Sequence, residues 1–241
     1  MLEYQGQQKF NAESSSNVLD ELLEIFRKRK STRSFDPRIN IDSEIILKAV
    51  AIAGTAPSGA NKQGWNFSIV TKDCLKKEIR IWAESEEGKF YGGLAPDRWL
   101  KDLEPLHTDS DKAFLTEASV LIPVFFRNWE SESKEKKKNY YAKESVGLAT
   151  GFLIAALHLA GVSTLTYTPT NRNYLARLLN RPEGESTFML IAAGLPSADA
   201  QVPVISKKSL SEISEVYQEV RSREVEEKLS HKNFKKWRNE K

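Results

Sequence analysis

Apolar residues along this 241-residue chain recur with two different periods, and the switches between them outline its elements. A polar N-terminal segment, residues 1–17, reads as flexible. After it Leu19, Leu22, Leu23 and Phe26 share one face of a helix that runs into the basic stretch "RKRKSTRSFDP". Asp42 or Ser43 can cap "SEIILKAVAIAG", where Ile45, Ile46, Ala49, Val50 and Ala53 repeat at helical spacing. In "WNFSIVT", Trp65, Phe67 and Ile69 alternate with polar neighbours, which predicts a half-buried strand. Leu75, Ile79 and Trp82 restore the helical period. From Lys89 to Asp111 it disappears and "YGGLAPD" adds turn residues, so a poorly preorganised segment is expected there.

"ASVLIPVFFR" predicts a strand, with Pro123 marking an edge, a bulge or a strand end because it donates no ladder hydrogen bond. The charge run "ESESKEKKKN" reads as a solvated loop. The apolar stretch from Val146 to Val162, opened by Glu144, is shorter than the ~20 residues a membrane span needs and carries His158, so it reads as a core helix. "STLTYTP" predicts a strand, "NYLARLLNRP" a short helix stopped by Pro182, and "TFMLIAAG" a buried strand. The alternation implies an α/β or α+β fold with an open sheet. One domain over residues 18–220 is expected, followed by a charged tail, residues 221–241.

Composition narrows the function classes. Apolar residues make up 40% and charged residues 29%, as in a soluble globular protein, and the net charge of +3 is too mild to argue for nucleic acid. One cysteine, Cys74, excludes an internal disulfide framework and any multi-cysteine metal cluster, and agrees with a reducing, cytoplasmic setting. No signal pattern opens the chain, so neither a membrane nor a nucleic-acid partner is expected.

Candidate chemistry lies in a few stretches. "GTAPSGANKQGW" has the glycine spacing of half a phosphate-binding loop, but Ala60 and Asn61 stand where the loop's lysine and hydroxyl would be. What remains is a donor-rich loop whose Ser58 hydroxyl and freed amides could face a polar ligand. His107, His158 and His231 lie far apart, and no metal-binding spacing occurs. Glu87 and Tyr91 fall on one helical face, and with Lys112 they could grip both charges of an amino-acid zwitterion. In the basic stretch Arg29, Ser31 and Arg33 alternate, so an extended chain would turn all three one way, a geometry suited to phosphate.

Taken in order, "RKSTRSFDP", "AGTAPSGANKQGWNFSIV", "EEGKFYGG…RWLKDL", "TLTYTPTN" and "LIAAGLPS…VP" resemble the flavin-dependent nitroreductase superfamily and, within it, the iodotyrosine deiodinase branch. The resemblance covers about Arg27 to Leu210. It implies a mixed sheet flanked by helices, assembled as a domain-swapped homodimer with FMN in clefts at the subunit interface.

By the same resemblance Arg29, Lys30, Ser31, Thr32 and Arg33, with Lys207, would hold the FMN phosphate and ribityl chain. Ser58 and Gly59 would reach the flavin from the partner subunit. Thr166, Tyr167 and Thr168 would lie beside the flavin, with the Thr168 hydroxyl at its N5, favouring one-electron steps. Glu87, Tyr91 and Lys112, within a lid at about residues 84–113, would bind the zwitterion of a halotyrosine, and the Ala60 amide would donate to its phenolate. The implied reaction is reductive removal of iodide, bromide or chloride to leave tyrosine, with electrons from NAD(P)H or a reductase. A general NAD(P)H-dependent nitroreductase and a non-catalytic flavoprotein that binds aromatic amino acids are the alternatives. Lys30 stands where arginine is usual. The lid is richer in glycine and proline than its animal counterparts, and with no anchor preceding the domain a soluble, microbial homologue or a truncated form of a longer protein is expected.

Overall fold

The structure is a computed structural model that describes residues 11–132, 135–169, 171 and 173–217. The chain divides into two compact units at Pro203 and Val204, where the sequence pattern ran one domain on to residue 220.

The first unit is built on a four-stranded sheet in the order β1 (Trp65–Phe67), β2 (Val120–Arg127), β6 (Glu185–Gly194), β5 (Ser163–Tyr167). All three strand pairs are antiparallel, so the expected mixed sheet holds only through one parallel bridge, between Ser31 and Thr164. β2 is buried along nearly its whole length because helices cover both faces of the sheet, which is why its sequence is a continuous apolar run. On one face α2 (Ser43–Ala53) and α6 (Ala142–Leu159) pack Ile46, Ala49, Val146 and Leu153 against Val120, Ile122 and Val124. On the other α3 (Asp73–Lys89), α5 (Phe114–Glu117) and α7 (Asn173–Leu178) pack Ile79, Leu115 and Leu175 against Leu121, Phe125 and Leu190.

Pro123 is not on an edge. It sits in the second strand of the sheet, opposite Leu190, one residue before the point where the register slips between Val124 and Phe125 and β6 carries an extra residue, Phe188. The irregularity absorbs the missing donor in a central position. The helix expected from Val18 begins earlier: α1 spans Ala12–Arg27, and the Asn11 side chain accepts from the Ser14 amide as its cap.

The charge run expected as a loop is a hairpin, β3 (Trp129–Glu132) against β4 (Glu135–Lys138). Two contacts make it a strand pair without any apolar alternation. Glu130 lies opposite Lys137, and the Lys136 ammonium sits 4.3 Å from the centre of the Trp129 ring while pairing with Glu183 at 2.8 Å.

The segment expected to be loosely ordered is mostly helical as far as Leu106 and irregular from His107 to Asp111. A wide turn at Phe90–Leu94 continues α3, and α4 (Asp97–Leu103) and a tight turn at Glu104–Leu106 follow. Gly93 makes the change of direction with φ 125°, a backbone conformation that side-chain-bearing residues avoid. In the second unit, α8 (Leu210–Ile213) is opened by a reciprocal cap between Ser209 and Glu212. The tail, residues 221–241, lies outside the described residues, as does His231.

Candidate active site

A cavity of about 550 Å³ opens between the end of β5, the C-terminal half of α3 and the segment that follows it. Its polar lining comes from Arg33, Glu87, Tyr91, Lys112, Thr166 and Thr168, and its apolar walls from Phe90, Trp99, Leu103, Phe114 and Leu165.

Each wall is built by local rules. The stretch after α1 is extended and runs along the free edge of β5, with a bridge from Ser31 to Thr164 and a hydrogen bond from the Thr32 amide to the Thr164 carbonyl at 3.2 Å. Alternation then buries Thr32 and leaves Arg29, Ser31 and Arg33 half-buried on the open side. Burial pulls the Arg33 guanidinium below its usual value, opposed by the nearby Tyr91. Among the described residues Arg33 has no hydrogen-bond acceptor, so its donors are available to a ligand. The end of β5 alternates in the same way: Thr166 and Thr168 are exposed and Tyr167 between them is buried.

On the opposite wall α3 carries Glu87 and the turn after it carries Tyr91, one helical turn apart. Glu87 and Lys112 form an ion pair at 3.3 Å with side chains only 13% and 7% exposed. Lys112 also donates to the Asp109 carbonyl, and its ammonium lies 5.5 Å from the centre of the Tyr91 ring. The Tyr91 hydroxyl meets the Thr108 hydroxyl at 3.0 Å, which ties the two arms of the segment together. At its base Arg80 donates to Glu84 at 2.6 Å and to Asp111 at 3.0 Å, and Glu84 accepts from the Lys112 amide. The Tyr167 hydroxyl donates to the second Glu87 oxygen at 3.1 Å. Burial, reinforced by Glu87, raises the Tyr167 phenol far above its ordinary value, so it remains a donor.

Of the residues singled out in the sequence, Arg33, Glu87, Tyr91, Lys112, Thr166, Tyr167 and Thr168 line this one cavity. Arg29, Lys30 and Ser31 continue the same extended stretch beyond it. Ser58, Gly59 and Ala60 do not line it. Their loop packs against the start of α6, where the Gly59 amide donates to the Ser145 hydroxyl and a Cβ on Gly59 would stand 2.9 Å from the Tyr140 carbonyl oxygen. The Ser58 hydroxyl is already engaged, accepting from the Gln63 amide at 2.9 Å. Ala60, Asn61 and Gln63 are exposed and left-handed, with φ near 50°, a conformation that costs free energy in residues other than glycine. Lys207 belongs to the second unit.

Sequence patterns gave no sign of the Tyr91–Thr108 and Tyr167–Glu87 bonds, which join residues 17 and 80 positions apart. His158 is not a core residue. It is half-exposed, hydrogen-bonds the Ile25 carbonyl at 2.9 Å and packs on Phe26, fastening α1 to α6. Among the described residues no cluster of His, Cys, Asp and Glu could hold a metal, and no helix is long and apolar enough to cross a membrane.

The fold is that of an α+β protein whose antiparallel sheet is covered by helices on both faces, with a cleft that brings the Arg33 guanidinium together with the buried Glu87–Lys112 ion pair. Residues 26–195 match the nitroreductase family, and the chain belongs to it. It is 41% identical over 215 residues to an iodotyrosine deiodinase of Haliscomenobacter hydrossis, covering 89% of this chain and 96% of that protein. It is 40% identical over 195 residues to mouse iodotyrosine deiodinase 1, covering 80% and 68%. A crystal structure of oxidised iodotyrosine deiodinase bound to FMN and 3-iodo-L-tyrosine superposes with a TM-score of 0.69 and 29% identity, covering 83% of this chain and all of that one.

Proposed function

We propose that this protein is an FMN-dependent reductive dehalogenase of halotyrosines, converting 3-iodotyrosine and 3,5-diiodotyrosine to tyrosine and halide, and that it works as a homodimer in the cytoplasm. The observation that carries the reading is the Glu87–Lys112 pair, buried and 3.3 Å apart in the same cavity as Arg33 and the Thr166–Thr168 edge. An ion pair held away from water is stable while its charges stay matched, and a zwitterion is the ligand that can separate the two and still match both.

In this reading Glu87 accepts hydrogen bonds from the substrate ammonium and Lys112 donates to its carboxylate, while Tyr91 covers them. The unpaired guanidinium of Arg33 and the alternating Arg29 and Ser31 fit a phosphorylated, anionic cofactor, with Lys30 adding charge. FMN held there in its reduced form would supply the two electrons that, with a proton, replace the carbon–halogen bond by carbon–hydrogen and release halide, leaving oxidised flavin. The exposed Thr168 hydroxyl would donate toward the flavin edge, and the Leu165 and Phe114 walls would exclude water when the lid is shut. Ser58, Gly59 and Ala60 would come from the second protomer, with the Ala60 amide donating to the substrate phenolate; their distance from this protomer's own cavity supports that assignment. NAD(P)H or a reductase would supply the electrons.

The test is a titration of 3-iodotyrosine into FMN-loaded protein while flavin fluorescence is followed, then anaerobic iodide release with dithionite. Saturable quenching and stoichiometric iodide are expected, both lost in Glu87→Gln and Lys112→Ala. Quenching that ignores these changes would leave a general nitroreductase, and quenching without iodide a binding protein.

A further inference from the structure

Glu87 uses its two carboxylate oxygens differently. One faces the Lys112 ammonium at 3.3 Å, and the other accepts from the Tyr167 hydroxyl at 3.1 Å. The two partners differ in how firmly they are held. Lys112 is as buried as Tyr167 but reaches the carboxylate on a long stem with four rotatable bonds, from the far end of the lid. Tyr167 is the last residue of β5, only 9% exposed, with its ring edge-to-face against Phe114 at 6.0 Å and 69°. A tyrosine so packed has few rotamers left, so its oxygen is the fixed point of the cluster.

Tyr167 also stands between Thr166 and Thr168, the two exposed hydroxyls of the strand end, so among the described residues its hydroxyl makes the one hydrogen bond from that stretch to the carboxylate on α3. The raised phenol value keeps the proton in place at all ordinary pH.

We infer that Tyr167 is a positioning residue for the ammonium site: its hydroxyl pins one oxygen of Glu87, leaves the other for the substrate ammonium, and sets that site at a fixed distance from the cofactor-facing strand end. The inference rests on the halotyrosine reading and adds to it the residue that decides selection for an α-amino group. Without the hydroxyl Glu87 still carries its charge, but it samples several rotamers and turns partly toward Lys112. Affinity for the ammonium then falls while the reacting ring and the cofactor are untouched.

The experiment compares wild type and Tyr167→Phe, both FMN-loaded, with 3-iodotyrosine and its desamino analogue, 3-(4-hydroxy-3-iodophenyl)propanoate. Loss of one hydrogen bond to a charged group is expected to raise Kd and KM for 3-iodotyrosine about tenfold, with kcat changed less than about twofold. The analogue, which offers Glu87 no ammonium, should bind both proteins alike, and FMN retention and the melting midpoint should not move. Equal losses for the two ligands, or a loss in kcat with KM unchanged, would overturn the inference. So would wild-type affinity for 3-iodotyrosine in the variant. If wild type itself ignores 3-iodotyrosine while holding FMN, the halotyrosine reading falls and takes the inference with it.

Discussion

The two walls of the cavity are held in opposite ways. The Arg29–Arg33 wall is backbone against backbone: its extended chain lies on the edge of β5 through the Ser31–Thr164 bridge and the Thr32 amide, and Phe35, 2% exposed, anchors it in the core. The lid wall from Glu87 to Lys112 is held largely by side chains, through Glu87–Lys112, Tyr91–Thr108 and Arg80–Asp111. A wall made of backbone ladder bonds opens only when the sheet does. A wall held by side-chain pairs can exchange those pairs for a ligand's, and under the proposed function the first wall would be the cofactor floor and the second the substrate roof.

The largest test of that contrast is Lys112→Ala, which leaves Glu87 buried without its cation. Truncating one member of a buried charge pair costs about 2–5 kcal/mol, so affinity for 3-iodotyrosine should fall roughly 30-fold or more by fluorescence titration. FMN retention on dialysis should be unchanged; a protein that also loses FMN would show that the two walls are not separable. Leu115→Ala probes the ground under both. Leu115 is fully buried beside the sheet, and its truncation should lower stability by about 2–5 kcal/mol in urea unfolding. Ligand affinity in the folded fraction should hardly change, and a larger effect on affinity than on stability would contradict the division of labour.

Arg33→Ala reverses the pattern of Lys112→Ala. It removes a charged donor from the floor and should weaken FMN binding by about 1.5–3 kcal/mol in equilibrium titration. Thr108→Val takes away the partner of the Tyr91 hydroxyl and should cost about 0.5–1.5 kcal/mol of halotyrosine affinity with FMN binding intact. The smallest effect is electrostatic and lies on the floor side, where the guanidinium and the backbone amide of Arg38 both donate to the Asp36 carboxyl and hold it down at about 2 against an ordinary 3.8. A depressed folded value adds stability above the ordinary value and loses it as the pH falls from 3.8 toward 2. In Arg38→Ala an NMR titration should move Asp36 only part of the way back to its ordinary value, because the amide of residue 38 still donates to it, and should shrink that acid-side slope.

Much of this was legible in the chain because its cause is local. Helical spacing puts Tyr91 one turn beyond Glu87, strand alternation turns Arg29, Ser31 and Arg33 one way, and the apolar run of β2 announces a strand covered on both faces. The same period count failed for Glu130–Lys138, where Glu130 opposite Lys137 and Lys136 over the Trp129 ring make a hairpin without apolar alternation. It also failed for Phe90–Leu106, where Gly and Pro read as disorder although aromatic contacts such as Phe90 on Trp99, 5.1 Å apart, hold short helical turns together.

By itself the sequence determined the elements, their buried faces and the residue types able to meet an anion and a zwitterion, since periodicity and side-chain chemistry need no partner distant in the chain. Only the tertiary structure decided which of those residues share a cavity. Lys112 reaches Glu87 across 25 positions of lid, and Tyr167 reaches the same carboxylate across 80, because the sheet brings the end of β5 under α3. No local rule encodes that approach. It follows from packing two helical layers on one antiparallel sheet, which fixes where the strand ends meet the helix that carries the charge.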